Sequence, residues 1–127
     1  MEVSFLNVDL EIESSEELQS IIDDFGEDVS VLYNGKNGSG YNLASFEIPS
    51  GIDGDVDGII STFCLLVENL SLESKLIWNK CHSKKFDAGF SSGDFPRSCQ
   101  SEIRADTINR VAKIGASIVI TVYPKSE

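Results

Sequence analysis

From Phe5 to Glu13 the chain alternates well. Leu6, Val8, Leu10 and Ile12 fall on one side, and Asn7, Asp9, Glu11 and Glu13 on the other. A period of two is the signature of a β-strand, and here one face is wholly apolar while the other carries three carboxylates in a row. The apolar face must be buried and the acidic face must stay wet. The strand therefore demands a sheet covered by helices on one side and open on the other.

The rest of the chain supplies such helices and further strands. Ser14 with Glu17 reads as a capping box, followed by Leu18, Ile21, Ile22 and Phe25 at helical spacing and by Gly26 as a stop. Val29–Tyr33 and Tyr41–Ile48 are β-rich runs separated by the turn-forming stretch Asn34–Gly40, which predicts a hairpin with a flexible loop. Asp57 is placed to cap a helix with the stripe Ile59, Ile60, Phe63, Val67 and Leu70. Ser71 can cap a continuation through Leu72, Leu76 and Ile77 to about Cys81, as one kinked helix or two. Lys84–Ser91 alternates again, with Phe86, Ala88 and Phe90 opposed to Lys85, Asp87 and Gly89. Arg97–Arg104 is a weaker, polar strand. Asp106 is placed to cap a last helix through Ile108, Val111 and Ala112, stopped near Gly115, before the β-branched strand Ser117–Tyr123. The expected fold is a single α+β domain over 1–127, a mostly antiparallel sheet with helices on one face. Its order is β-α-β-β-α-β-β-α-β, and the first six elements match a ferredoxin-like split βαβ core.

The 127 residues are enough for one buried core without metal or disulfides. Cys64, Cys81 and Cys99 are odd in number and irregular in spacing, so free thiols in a reducing compartment are expected. No apolar run reaches the length of a membrane span, and Met1-Glu2-Val3-Ser4 lacks the basic and apolar regions of a secretory signal. These features lead to an expected cytoplasmic protein, a monomer or loose dimer, with no membrane partner.

The charge is −11 and lopsided. Residues 1–57 hold fourteen acids and one base, Lys36, whereas residues 58–127 hold seven acids and nine bases. An acidic surface repels nucleic acid and anionic membranes and attracts basic proteins. The competing explanation is that the acids serve solubility alone.

Motifs that would carry chemistry are sparse. Asp53-Gly54-Asp55-Val56-Asp57-Gly58 matches the start of an EF-hand calcium loop, but Cys64 stands where a bidentate Glu is needed. A helix-capping loop is the expected role, and no metal site is assigned. His82, the single histidine, lies between Cys81 and Ser83 at a helix end. Sequence neighbours seldom converge into a nucleophile–base pair, and a zinc site from Cys81, His82 and Cys99 lacks a fourth ligand. Asn34–Gly40 is glycine-rich but lacks the Gly-Lys-Ser/Thr ending of a phosphate loop. Trp78 belongs on an apolar helix face and is expected in the core. Tyr33 and Tyr41, which flank the hairpin loop, are candidate interface anchors. No catalytic residue and no cofactor emerge from these residues.

Three stretches, Leu32-Tyr33-Asn34-Gly35, Phe86-Asp87-Ala88-Gly89-Phe90 and Ile114-Gly115-Ala116-Ser117 running on to Pro124, resemble segments of small bacterial proteins. Some of these are immunity proteins encoded beside toxins, including those of contact-dependent inhibition systems. The resemblance covers the second half best, and its motifs are structural, so it transfers no site residue. Together with the charge it implies an immunity or antitoxin-type protein that covers the active site of a basic toxin, a nuclease by charge logic. Asp9, Glu11, Glu13, Asp23, Asp24, Glu27, Asp28, Tyr33 and Tyr41 would meet the partner. A small-ligand-binding or regulatory domain of ferredoxin-like shape is the alternative, and an enzyme is not expected.

Overall fold

The computed structural model describes residues 4–49, 54–91 and 100–124. Strand β1 (Ser4–Ser14) leads into helix α1 (Gln19–Phe25) and a 3₁₀ turn at Gly26–Asp28. The hairpin β2 (Ser30–Lys36) and β3 (Asn42–Glu47) follows. Two separate helices, α2 (Val56–Glu68) and α3 (Leu72–Lys80), precede β4 (Ser83–Ser91), and α4 (Ala105–Lys113) connects β4 to β5 (Ser117–Tyr123). The five strands form one mixed sheet in the order β2-β3-β1-β4-β5. All neighbours are antiparallel except β4 and β5, which run parallel with α4 as their crossover. The α+β class and mostly antiparallel sheet agree with the sequence pattern.

The apolar face of β1 (Val8, Leu10 and Ile12) is fully buried under the helices together with Ala44, Phe46, Phe86 and Ala88. Phe25 of α1 meets Phe46 edge to face at 5.2 Å, and Phe63 of α2 lies 5.7 Å from Phe86. Burying each of these rings contributes roughly 2–3 kcal/mol, which makes this layer the main source of stability. Trp78 is buried as expected, and its indole N–H donates to the Ile114 carbonyl at 2.8 Å, tying α3 to the end of α4.

Several local expectations are corrected. Between Phe5 and Asn7 the pairing with β4 shifts register. The bulge turns Phe5 onto the helix side, 5.6 Å from Phe90, and pushes Leu6 outward to 55% exposure. The capping box does not form. Ser14 stays in β1 opposite Asn42, its hydroxyl accepts from the Glu16 amide, and α1 starts four residues later without a side-chain cap. The hairpin loop is shorter than the composition suggests, because Asn34, Gly35 and Lys36 pair with β3. Leu72 and Leu76 are largely exposed rather than part of an apolar stripe. Residues 100–104 carry no strand; Ile103 tucks against the core, and the Arg97–Cys99 part of that expectation lies outside the described residues.

The helix starts also differ from the sequence reading. Asp55, not Asp57, caps α2 by accepting from the Gly58 amide at 2.8 Å. Asp57 instead accepts from the Arg104 amide at 2.8 Å, which ties α2 to the start of α4; α4 begins after Arg104 without a side-chain cap, and Asp106 lies inside its first turn. Ser71 caps α3 as expected. The end of α4 is a Schellman turn, with Ala116 N–H bonded to the Val111 carbonyl and Gly115 N–H to the Ala112 carbonyl. Gly115 sits at φ +73°, a conformation L side chains rarely adopt.

Candidate functional site

Among the described residues the helices pack on one side of the sheet, and the acidic side of β1 faces away from them. Cross-strand register decides what gathers there. Asp9 pairs with Glu47 on β3 and with Asp87 on β4, so three carboxylates line up across three adjacent strands. Glu11 and Glu13 continue the row along β1, two residues apart and so roughly 7 Å apart. Lys85 is the cross-strand neighbour of Glu11.

Two polar side chains fix the centre of this cluster. Asn7 donates through Nδ2 to Glu47 Oε2 at 2.9 Å and more weakly to Asp9 Oδ1 at 3.4 Å. Thr121 donates through Oγ1 to Asp87 Oδ1 at 2.7 Å. Among the described residues no cation sits beside Asp9, and burial, reinforced by Glu47, Asp87 and Glu11, pushes its carboxyl up to about 6. At one end of the face the Tyr123 ring lies over Gly89, where an added Cβ would stand 3.1 Å from the ring.

At the other end the last acid of the row is already engaged. Glu13 Oε1 is 2.5 Å from His82 Nε2, and Asn37 Nδ2 donates to Glu13 Oε2. The Tyr41 ring stacks against the imidazole with centroids 4.5 Å apart. Asn37 Oδ1 accepts from the Ser39 and Tyr41 amides, so this carboxylate holds the hairpin loop in place. An imidazole oriented by a carboxylate is half of a catalytic dyad. Among the described residues, however, no hydroxyl or thiol hydrogen-bonds the ring. The adjacent Cys81 is buried with its Sγ on the Ile77 carbonyl.

The structure splits the acids grouped by sequence. Asp9, Glu11 and Glu13 share the open face, while Asp23, Asp24, Glu27 and Asp28 belong to α1 and its 3₁₀ turn on the helix side. Asp23 accepts from Gln19, and Asp24 accepts from both the amide and the hydroxyl of Ser71, at 3.0 and 2.7 Å. Bonds from Ser74 and then Ser71 hold the Asp24 carboxyl below its usual range. Asp24 thus clamps α1 to α3. Tyr33 lies on the open face beside Ser45, half-exposed, with its hydroxyl on the Lys36 carbonyl.

Sequence reasoning missed Glu47, Asp87 and Tyr123. Glu47 and Asp87 alternate with buried neighbours, so their outward direction was readable; Tyr123, whose neighbour Val122 is exposed, gave no such signal. The placement of Glu47 and Asp87 beside β1, and of Tyr123 over Gly89 on β4, needed the strand order, which local pattern does not contain. In the calcium-like loop Asp55 and Asp57 are committed to backbone amides, and Asp53 lies outside the described residues, as does Cys99 of the considered zinc set. Among the described residues no three His, Cys, Asp or Glu side chains converge on a metal position, and no helix is long and apolar enough to cross a membrane. The chain matches no protein-family model, no curated protein and no solved structure.

Proposed function

We propose that this protein is an immunity or antitoxin-type binding protein that uses the open face of its sheet to cover the active site of a basic toxin, a nuclease by chemical class. The observation that carries the reading is the row Glu47–Asp9–Asp87 with Glu11 beside it, on a sheet face that no described helix covers. Nuclease sites hold phosphate with Lys and Arg, and a flat array of carboxylates presents a comparable field. Such an array raises the association rate by steering and then forms charge-assisted hydrogen bonds in the complex. Tyr33 and Tyr123 flank the carboxylates as half-exposed aromatic anchors. The acids of α1 lie on the other side of the sheet and are left out of the contact. In this reading the protein is not an enzyme, acts in the cytoplasm and needs no cofactor. Strands β1 to β4 with their helices form a ferredoxin-like split βαβ core, and β5 is added outside β4.

The test is the association rate with the toxin domain that copurifies from the native host, measured at low and high salt. The double variant Glu11→Lys/Glu47→Lys is expected to associate at least about tenfold more slowly at low salt, with the difference shrinking as salt rises. Glu27→Lys/Asp28→Lys on the helix side is expected to have little effect. Wild-type rates for the open-face variant, or a larger loss for the helix-side variant, overturn the proposal.

A further inference from the structure

The two edges of the sheet are built differently. On β2 the register shifts between Val31 and Tyr33, and the strand ends on Lys36. A bulge and a lysine are standard guards against edge-to-edge pairing. β5 has neither. Ser117–Tyr123 pairs with β4 in unbroken register and contains no charge, glycine or proline. Ile120 and Val122 point to the helix side of this edge and are 57% and 58% exposed. Val119, Thr121 and Tyr123 point to the open side. Half of the backbone N–H and C=O groups of a seven-residue edge strand face outward, and no strand among the described residues takes them.

We propose that β5 pairs antiparallel with β5 of a second copy of this chain, giving a two-fold dimer with one continuous ten-stranded sheet. The sequence of the strand fits its own reverse. With Ile120 on the axis, Ile118 faces the second Val122, and Val119 faces the second Thr121, so every central pair is β-branched.

Charge selects this occupant over a cationic partner. The strand itself carries no carboxylate for a basic protein, and Asp87 beside it is already engaged by Thr121, whereas two chains of −11 can meet only where their acids stay apart. Edge pairing achieves that. The acidic strand β1 lies two strands in from β5, so the two β1 strands are five strand spacings apart, about 24 Å, and Asp87 on β4, the row's nearest member, is three spacings, about 14 Å, from its counterpart. These separations are roughly three and nearly two Debye lengths at physiological salt, so the repulsion between the two β1 strands is largely screened and that between the two Asp87 side chains is weakened. A two-fold normal to the sheet also leaves both acidic faces on the same side of the dimer. A strand pair is a small interface, so the dimer is reversible and concentration-dependent.

Sedimentation equilibrium of the full chain over a range of concentrations tests the proposal. The wild type is expected to move from the 13.9 kDa monomer towards twice that mass. Ile120→Lys, which sets two like charges across the axis at an exposed position, should raise the dimer dissociation constant at least about tenfold. Leu72→Lys, at an exposed position on α3 beside α1, should leave it unchanged. Circular dichroism establishes that both variants fold. Amide hydrogen exchange gives a second reading: the outward amides of β5 should gain protection as concentration rises. A chain that stays monomeric at every concentration overturns the proposal. So does a dimer weakened by Leu72→Lys but not by Ile120→Lys.

Discussion

Asp9→Asn is expected to stabilise the free protein at neutral pH. Asp9 sits half-buried between Glu47 and Asp87, and its carboxyl is held at about 6 instead of its usual 3.8. Between those two values the folded chain binds a proton that the unfolded chain has released. Stability therefore rises as pH falls through this window, and the full penalty is present above it. A displacement of that size corresponds to about 3 kcal/mol. Solvent screening at a half-exposed site reduces this to roughly 1–2 kcal/mol. Asparagine keeps the shape of the side chain, removes the charge and adds a donor facing two carboxylates. In a chain of this size each kcal/mol moves the midpoint by about 4 °C, so Asp9→Asn should melt roughly 4–8 °C higher at pH 7. The gain should fade below pH 6 and vanish by about pH 4, where wild-type Asp9 is itself protonated. Glu68, held low by its bonds from Arg110, and Asp24, held low by Ser74 and Ser71, lose their contributions as pH falls below their usual values of 4.5 and 3.8. They do so in both chains and cancel in the difference. Thermal melts of the two proteins across pH 4–8 provide the measurement. An unchanged or lower midpoint for Asp9→Asn at pH 7, or a gain that persists at pH 4, refutes the reasoning.

Gly115→Ala should cost about 1–2 kcal/mol in chemical denaturation, because a Cβ is forced into the left-handed region at φ +73° and meets the Lys84 ammonium at 3.3 Å; no loss would mean that the Schellman turn does not fix the end of α4. Burial pushes the Cys64 thiol up to about 11 and raises that of Cys81 as well. At most one of the three thiols should therefore react with a thiol reagent at pH 8 until denaturant is added, and rapid reaction of two or more in the native protein would contradict that burial.

How much was legible in the sequence depends on the range of the interaction concerned. The alternation of β1, the stripe of α2, the Ser71 cap and the Gly115 stop are contacts within a few residues, and each stands where the pattern puts it. The errors come from contacts between distant segments. Ser14 could cap a helix or continue a strand, and pairing with Asn42 decides for the strand. Asp106 could cap α4, but the helix starts one residue before it, after Arg104, whose amide Asp57 holds from another helix. Leu6 keeps perfect alternation in sequence, yet a bulge set by the Phe5–Phe90 contact reverses its face. The acidic site follows the same division. Asp9, Glu11 and Glu13 are a local pattern, whereas Glu47 and Asp87 join them only through the order of the sheet.

The acids of the first half fall into two kinds, and the distinction bears on what the charge is for. Asp24, Asp55 and Asp57 each accept from a backbone amide at a helix start, and Glu13 anchors the hairpin loop through Asn37 and His82. These carboxylates support the fold. Asp9 does not: it lies between Glu47 and Asp87 with Glu11 beside it, and burial and these like charges raise the energy of its charged form. A chain that needed acids only for solubility could place them on exposed helix faces, where screening removes the repulsion at no cost to stability. Placing Asp9 at the centre of the sheet, half-buried between two carboxylates and with no cation beside it among the described residues, destabilises the free protein, and a cationic partner would reverse that effect. The same substitution, Asp9→Asn, should therefore raise stability and weaken partner binding together. A variant that gained stability with no loss of binding would place the interface elsewhere and leave the row unexplained.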